Sequence, residues 1–335
     1  MSTSPDRPAA TVTGLRARLR AALAGRPSGL HVGGESRLLE PTMPMTEEAV
    51  SVRKPRDDEI DVYGLTHPGK VRTTNNDHFL IGQVRKHLAV SLTSMSDLDQ
   101  ATIGQDRLAF VAMVADGVGG GERGQEASRL ALQAVTEYMA SSMDAYYSSD
   151  ARESAAFTEV LEEAALRCHA EVLKRAEERP EFRGMATTLT LWFGVWPWYY
   201  ILQVGDSRYY LYREGVLTQI SRDQTMAEAL LAQGGFQRGP GFMDKWSHVL
   251  ASSIGGTATA PVVTRLRHDW KNTHLLCSDG LTKHVSDARI AERLRDMTSA
   301  KQVCEALLQD ALDGGGSDNI TIVVGRSTPH DPAAP

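Results

Sequence analysis

The chain has 335 residues, 41% of them apolar, and a formal net charge of −6, which suits a globular protein with a sizeable core. The acidic balance, with no long basic run against it, argues against nucleic acid as the main partner. No apolar stretch reaches the length of about 18 residues that marks a membrane span. The N-terminus lacks the apolar h-region of a secretory leader. Cys168, Cys277 and Cys304 form no CxxC pair and fit a reducing, cytoplasmic setting rather than a disulfide frame or a zinc site.

Residues 1–57 are rich in Pro, Gly, Ser and Arg, have little periodicity, and are expected to form a disordered tail. Leu15, Leu19, Ala22 and Leu23, interleaved with Arg16, Arg18 and Arg20, leave a short basic amphipathic turn as the alternative. The folded domain is expected over residues 58–327, followed by a loose Pro-containing tail at 328–335. Ile60-Asp61-Val62-Tyr63-Gly64-Leu65 alternates and reads as a strand, His67-Pro68-Gly69 as a turn, and residues 77–81 as the next strand. Residues 85–105 are a polar, irregular excursion or hairpin. Residues 108–115 are an uninterrupted apolar run, read as a buried strand that carries Asp116 at its tip. Gly117, Gly119, Gly120 and Gly121 follow, and a helical pattern starts near Glu122.

Ala127, Leu130, Ala131, Ala134, Val135, Tyr138 and Met139 keep helical spacing, and Phe157, Val160, Leu161, Ala164, Cys168 and Val172 keep it again. Both stripes read as core faces. Residues 187–195 and 198–204 are β-rich and form a hairpin about Trp196-Pro197. Their aromatics have no basic residues between them, so they read as core and sheet edge rather than as a stacking surface. Residues 209–213 and 216–220 flank the hairpin signal Glu214-Gly215, and a short helix covers 226–232. Residues 233–246, rich in Gly and carrying Pro240, read as a long mobile loop. A short strand at 274–277 ends at Asp279. Ser286 or Asp287 caps one helix and Thr298 or Ser299 caps another, which Gly314-Gly315-Gly316 stops before a last strand at 319–325.

Gly119-x-Gly121-x-x-Gly124 matches the dinucleotide fingerprint by spacing. That fingerprint also requires a second strand ending in an acid ~20 residues on, and here the pattern stays helical. A dinucleotide-binding enzyme is therefore a remote reading, and a glycine-rich turn with a solvated Asp is the plain alternative. The plain alternative weakens because the same grammar recurs. Asn75-Asn76-Asp77, Asp116-Gly117, Val204-Gly205-Asp206-Ser207-Arg208, Ser278-Asp279-Gly280 and Ser317-Asp318-Asn319 each set an Asp at the entry or exit of an apolar strand. Hard divalent cations such as Mg²⁺ and Mn²⁺ take oxygen ligands of this kind.

Together with Gly69-Lys70-Val71-Arg72 and Gly184-Met185-Ala186-Thr187-Thr188-Leu189, these segments resemble, in order, the motifs of the metal-dependent type 2C protein serine/threonine phosphatases. The bacterial branch is the nearer likeness, because eukaryotic members carry a His where this chain has Val118. The resemblance implies an α+β fold, a central antiparallel β-sandwich flanked by helices on both sides in four layers (α/β/β/α). It implies hydrolysis of phosphoserine and phosphothreonine on proteins by attack of a water held between two Mn²⁺ or Mg²⁺ ions, with a weak third ion optional. Asp116 would bridge the ions, helped by the Gly117 carbonyl, and would position the water. Asp77 would face one ion, and Asp279 and Asp318 would complete the other site. Arg72 would hold the substrate phosphate. Asp206 and Asn76 are candidates for the third site or for the waters around the ions. Partners would be phosphorylated proteins, including a Ser/Thr kinase or its substrates, and a monomer is expected.

The chain departs from the family pattern at two places. Asn76 stands where a Glu is usual, and Lys283 where an acid supports the third ion. Lys283 is therefore expected to disfavour that third ion and leave the two main ones in place. A non-catalytic regulatory relative that binds a phosphoprotein or partner is the alternative function. Val118 cannot serve as a general acid, and Cys277 reads as a buried strand residue, not a nucleophile.

Overall fold

The central strands are apolar on both faces, and the two faces are claimed by different layers. The structure, a computed structural model, describes residues 53–85, 88–89, 102–103, 107–141, 154–233 and 239–329. Its strands are β1 (Ile60–His67), β2 (Asp77–Arg85), β3 (Leu88–Ala89), β4 (Thr102–Ile103), β5 (Arg107–Val118), β6 (Ala186–Thr187), β7 (Leu189–Val195), β8 (Trp198–Val204), β9 (Arg208–Arg213), β10 (Val216–Gln219), β11 (Val262–Arg267), β12 (Thr273–Cys277) and β13 (Ile320–Ser327). Its helices are α1 (Glu122–Ser141), α2 (Ser154–Glu178), α3 (Met226–Ala232), α4 (Pro240–Trp246), α5 (Asp279–Thr282), α6 (Asp287–Arg295) and α7 (Ala300–Asp313). One sheet runs β1-β13-β12-β9-β10 and the other β11-β8-β7-β5-β2, with β6 attached to the end of β5. Neighbours pair antiparallel throughout both sheets.

Along β5, Ala109, Val111, Met113 and Ala115 pack with Ala127, Ala131 and Val135 of α1 and with Leu161 and Cys168 of α2. The intervening Ala112 and Val114 meet Tyr209, Leu276 and Val323 between the sheets. Along β13, Ile320, Ile322 and Val324 pack on Val303, Cys304, Leu307 and Ala311 of α7, and Val323 turns inward. The four-layer sandwich follows from this double claim on each strand. The capping expectations resolve as well: the Ser286 and Ser299 side chains accept from Arg289 N and Gln302 N, and α7 ends at Gly314.

The sequence reading and the structure differ at three places. Val262–Arg267, not expected as a strand, pairs with β8 from Trp198 to Gln203. The expected loop at 233–246 contains α4, because Gly239 followed by Pro240 is a helix-entry signal: Pro fixes φ and lacks only an N–H that would be unpaired there anyway. The third concerns chain 53–57, which the sequence reading placed in the tail. The Arg53 guanidinium pairs with Glu59, Lys54 Nζ donates to Arg107 O, and Arg107 Nη1 meets Asp57 Oδ1 at 2.6 Å. Its described part therefore lies against the domain. Residues 1–52, with the basic turn at Leu15–Leu23, lie outside the described residues, as do most of the 85–105 excursion, 234–238 and 330–335.

Candidate metal centre and active site

Antiparallel order carries five acids to one end of the sandwich. Asp77 opens β2 and stands opposite Asp116, near the end of β5, in register. Asp279 follows β12 and Asp318 precedes its antiparallel partner β13, so both leave the sheet at the same end. Asp206 lies in the turn between β8 and β9.

Local structure explains the Asp-Gly pairs. A Cβ on Gly117 would fall 2.0 Å from Gly124 O and 2.8 Å from Asn76 O, and a Cβ on Gly280 would fall 1.9 Å from Asn319 O. At both places another backbone crosses where a side chain would be, which only glycine permits. The backbone of Asp116 is pinned: its N donates to Thr188 Oγ1 (2.9 Å), and its carbonyl accepts from Thr188 N (2.9 Å) and Thr187 Oγ1 (2.8 Å). Asn319 ties the Arg72 loop to β13. Its Oδ1 accepts from Asn76 N at 2.9 Å, and its Nδ2 donates to Pro68 O at 3.0 Å and Thr74 O at 2.9 Å. Ser278 Oγ accepts from Thr321 N at 2.9 Å and fixes the strand ends that present Asp279 and Asp318.

The electrostatics are those of an acid cluster short of positive charge. Asp77 is 2% exposed, and neither of its carboxylate oxygens has a hydrogen-bond partner. Burial pushes Asp77 up, and the charge of Asp279 reinforces the rise. Burial, then the charges of Asp77 and Asp279, hold Asp116 well above the ordinary carboxylate range. Asp206 is pushed up by burial and by Asp279 and Asp223, while Lys283 opposes. Asp318 goes the other way. Burial would raise it, but hydrogen bonds from Arg72 and Lys283 prevail and lower it. Buried carboxylates with unpartnered oxygens, Asp77 and Asp279 Oδ1 among them, are what a divalent cation satisfies. The donor set fits such an ion, although no group of three or more His, Cys, Asp or Glu among the described residues is gathered to hold one as it stands.

The two cations of the centre both serve Asp318. Arg72 Nε and Nη2 form a fork to its two oxygens at 2.9 and 3.1 Å. Lys283 Nζ lies 2.7 Å from Asp318 Oδ2 and 2.6 Å from Asp279 Oδ2. The sequence reading set Lys283 against the third-ion position; the structure places its ammonium between Asp279 and Asp318, the acids that reading gave to one of the two principal ions. Asp206, half-buried, lines a neighbouring cavity of about 380 Å³ with Arg222, Asp223, His248, Asp279 and Lys283. Asn76 Oδ1 is buried without a partner, and its Nδ2 is 3.4 Å from Gly119 O. Val118 is 43% exposed at the rim. Cys277 is fully buried, and burial pushes its thiol up to about 12, so it is not a nucleophile at neutral pH. Gly119 to Gly124 does not open a βαβ unit, because β5 belongs to an antiparallel sheet, which disposes of the dinucleotide reading.

Sequence reasoning named Asp77, Asp116, Gly117, Asp279, Asp318, Arg72, Asn76 and Asp206, and the structure brings all eight to the same end of the sandwich. It gave no role to Asn319, Ser278 or Thr188, although each sits inside a motif it had singled out.

An antiparallel four-layer sandwich with acids gathered at one end is an arrangement whose oxygens suit divalent cations. The chain belongs to the protein phosphatase 2C family, whose sequence profile matches residues 95–314. It is 30% identical over 218 residues to the serine/threonine protein phosphatase PstP of Mycobacterium tuberculosis, a match covering 65% of this chain and 40% of PstP. It is 29% identical over 216 residues to the serine/threonine phosphatase Stp of Listeria innocua, covering 64% of this chain and 83% of that protein. The chain thus spans less than half the length of PstP. The crystal structure of M. tuberculosis PstP superposes with a TM-score of 0.62 at 27% identity, covering 81% of this chain and 99% of that one. A structure of the PstP catalytic domain in complex with two manganese ions gives 0.62 at 26% identity, with the same coverage.

Proposed function

We propose that this chain is a metal-dependent protein phosphatase that hydrolyses phosphoserine and phosphothreonine on proteins. The observation that carries the reading is the set Asp77, Asp116, Asp279 and Asp318 at one end of the sandwich, with both oxygens of Asp77 and one of Asp279 buried and unpartnered, in a family whose relative PstP has a catalytic domain solved in complex with two manganese ions. Asp116 and the Gly117 carbonyl, with Asp77 facing them, would hold one Mn²⁺ or Mg²⁺ ion, and Asp116, Asp279 and Asp318 the other. When bound, such ions acidify water and neutralise charge on phosphoryl oxygens.

The residues of the chain do the rest. Thr187 and Thr188 fix the Asp116 backbone, so its carboxylate keeps one direction. Arg72 lies at the exposed edge with two of its nitrogens on Asp318, and its Nη1 remains to take a phosphate oxygen. Fork geometry and permanent charge suit it to that role. Val118 has no proton to give, so the leaving alkoxide takes its proton from water in the open cleft. Substrates would be phosphorylated proteins, a Ser/Thr kinase among them, met by a cytoplasmic monomer. No helix among the described residues is long and apolar enough to cross a membrane.

The test is release of inorganic phosphate from a phosphothreonine peptide with Mn²⁺, and again with EDTA. Release that needs Mn²⁺ supports the reading. The second reading, a relative that binds phosphoproteins without hydrolysis, is favoured by Asn76 and by the ammonium among the acids. Tight peptide binding without release at millimolar Mn²⁺ would establish it instead.

A further inference from the structure

The two halves of the centre are not equivalent. In one half, Asp77 has no hydrogen-bond partner on either oxygen and faces Asp116 across the β2–β5 register. In the other, a cation already sits between the acids: Lys283 Nζ is 2.6 Å from Asp279 and 2.7 Å from Asp318. We propose that Lys283 is a tethered counter-ion which occupies the Asp279–Asp318 position, so that one divalent ion binds readily on the Asp77–Asp116 side and a second enters only by displacing the ammonium. This rests on the metal-dependent reading above and makes the occupancy of the second position a property of this chain's own side chain.

The placement is built into the local structure. Lys283 ends the turn of helix that Asp279 begins, and its N donates to Asp279 O at 2.9 Å. The i,i+4 spacing turns the side chain back over the Asp279 carboxylate. Asp318 is brought within reach by His284. Its Nδ1 meets Gly314 O at 3.0 Å and its Nε2 accepts from Ser317 N at 2.9 Å, which clamps the turn before Asp318. A lone surface ion pair would mean little. This ammonium bridges two acids, and all three side chains are no more than 28% exposed.

Displacement needs only a side-chain movement. Lysine is a point charge on a flexible stem, and it borders the cavity of about 380 Å³ that Asp206 and Asp223 also line. An ammonium pushed from Asp279 and Asp318 can swing toward Asp206, which would keep the third position closed in both states. Losing two charge-assisted hydrogen bonds, partly offset by the approach to Asp206, should weaken the second ion by at least on the order of tenfold.

The experiment uses the full chain, stripped with EDTA and dialysed, and titrated with Mn²⁺ alone. Free Mn²⁺ is read from its electron paramagnetic resonance signal, so no turnover is involved. The expected result is one tight ion and a second bound at least roughly tenfold more weakly. Lys283→Met should bring the second affinity up toward the first, with Lys283→Gln doing the same if the Met variant aggregates. Lys283→Arg should keep the gap. Two ions of equal affinity in the unmutated chain, or an unchanged gap in both neutral variants, overturns the role of Lys283 and leaves the phosphatase reading standing. No bound Mn²⁺ in any of them overturns both.

Discussion

Asn319→Ala removes one side chain that holds the Arg72 loop to the second sheet end. Three hydrogen bonds go with it: the one accepted from Asn76 N and the two donated to Pro68 O and Thr74 O. Asn319 is 5% exposed, so water does not readily replace them. At about 1 kcal/mol net for each bond, the loss is roughly 3 kcal/mol, with desolvation of the orphaned backbone groups adding to it. Urea unfolding of the metal-free protein measures that loss. Hydrogen exchange locates it, since amides in residues 69–76 should lose protection while those of β7 and β8 change only with global stability. Phosphopeptide turnover should fall as well, because the same loop carries Arg72 and leads into Asp77. Asn319→Asp keeps the acceptor but sets a carboxylate against two carbonyls, so it should do no better than Ala. A loss below about 0.5 kcal/mol, with unaltered exchange at 69–76, would refute the tether, since three part-buried hydrogen bonds cannot vanish at so small a cost.

Asp279→Asn should abolish most Mn²⁺-dependent turnover of p-nitrophenyl phosphate while the circular dichroism spectrum is retained, because β12 needs no charge at its end; wild-type turnover in the folded variant would count against the two-ion assignment. Asn76→Glu should lower the Mn²⁺ concentration for half-maximal activity by adding a carboxylate where Asn76 Oδ1 is buried without a partner, and an unchanged midpoint would show that the charge is not needed. His274 lies between the sheets, Nδ1 at 2.8 Å from the Tyr209 hydroxyl, and burial lowers it to about 3. Its neutral form is favoured in the fold, so its contribution is complete above the unfolded value near 6.5 and is lost as pH falls toward 3, up to about 5 kcal/mol in all. Stability curves of the wild type and His274→Phe should therefore converge toward neutral pH in slope and separate in acid, where the variant keeps less pH dependence; parallel curves from pH 7 to 4 would contradict this.

The chain's local order was legible because it rests on short-range physics. Alternation gave β1, a short uninterrupted apolar run gave β5, β-rich runs about Trp196-Pro197 gave the β7–β8 hairpin, 3.6-residue stripes gave the inner faces of α1 and α2, and Ser286, Ser299 and the Gly314 run marked helix ends through hydrogen bonds and φ angles that span a few residues. The acids could be named for the same reason, since an Asp-Gly step after an apolar run is a local signal. Where those acids meet is not local. Arg72 and Asp318 are 246 residues apart and Asn76 and Asn319 are 243 apart. Their juxtaposition depends on β12 and β13 running antiparallel in one sheet while β2 and β5 do so in the other. Two smaller features escaped for lesser reasons: β11 is half exposed and alternates weakly, and the glycines around α4 obscured a proline-led helix. Lys283 shows the division most clearly. Its spacing from Asp279 was visible in the sequence and was taken to bear on a third ion. Only the approach of Asp318 from β13, held by His284 across the glycine turn, sets its ammonium between Asp279 and Asp318, because a charge is shared between carboxylates only when the fold brings both within hydrogen-bond reach.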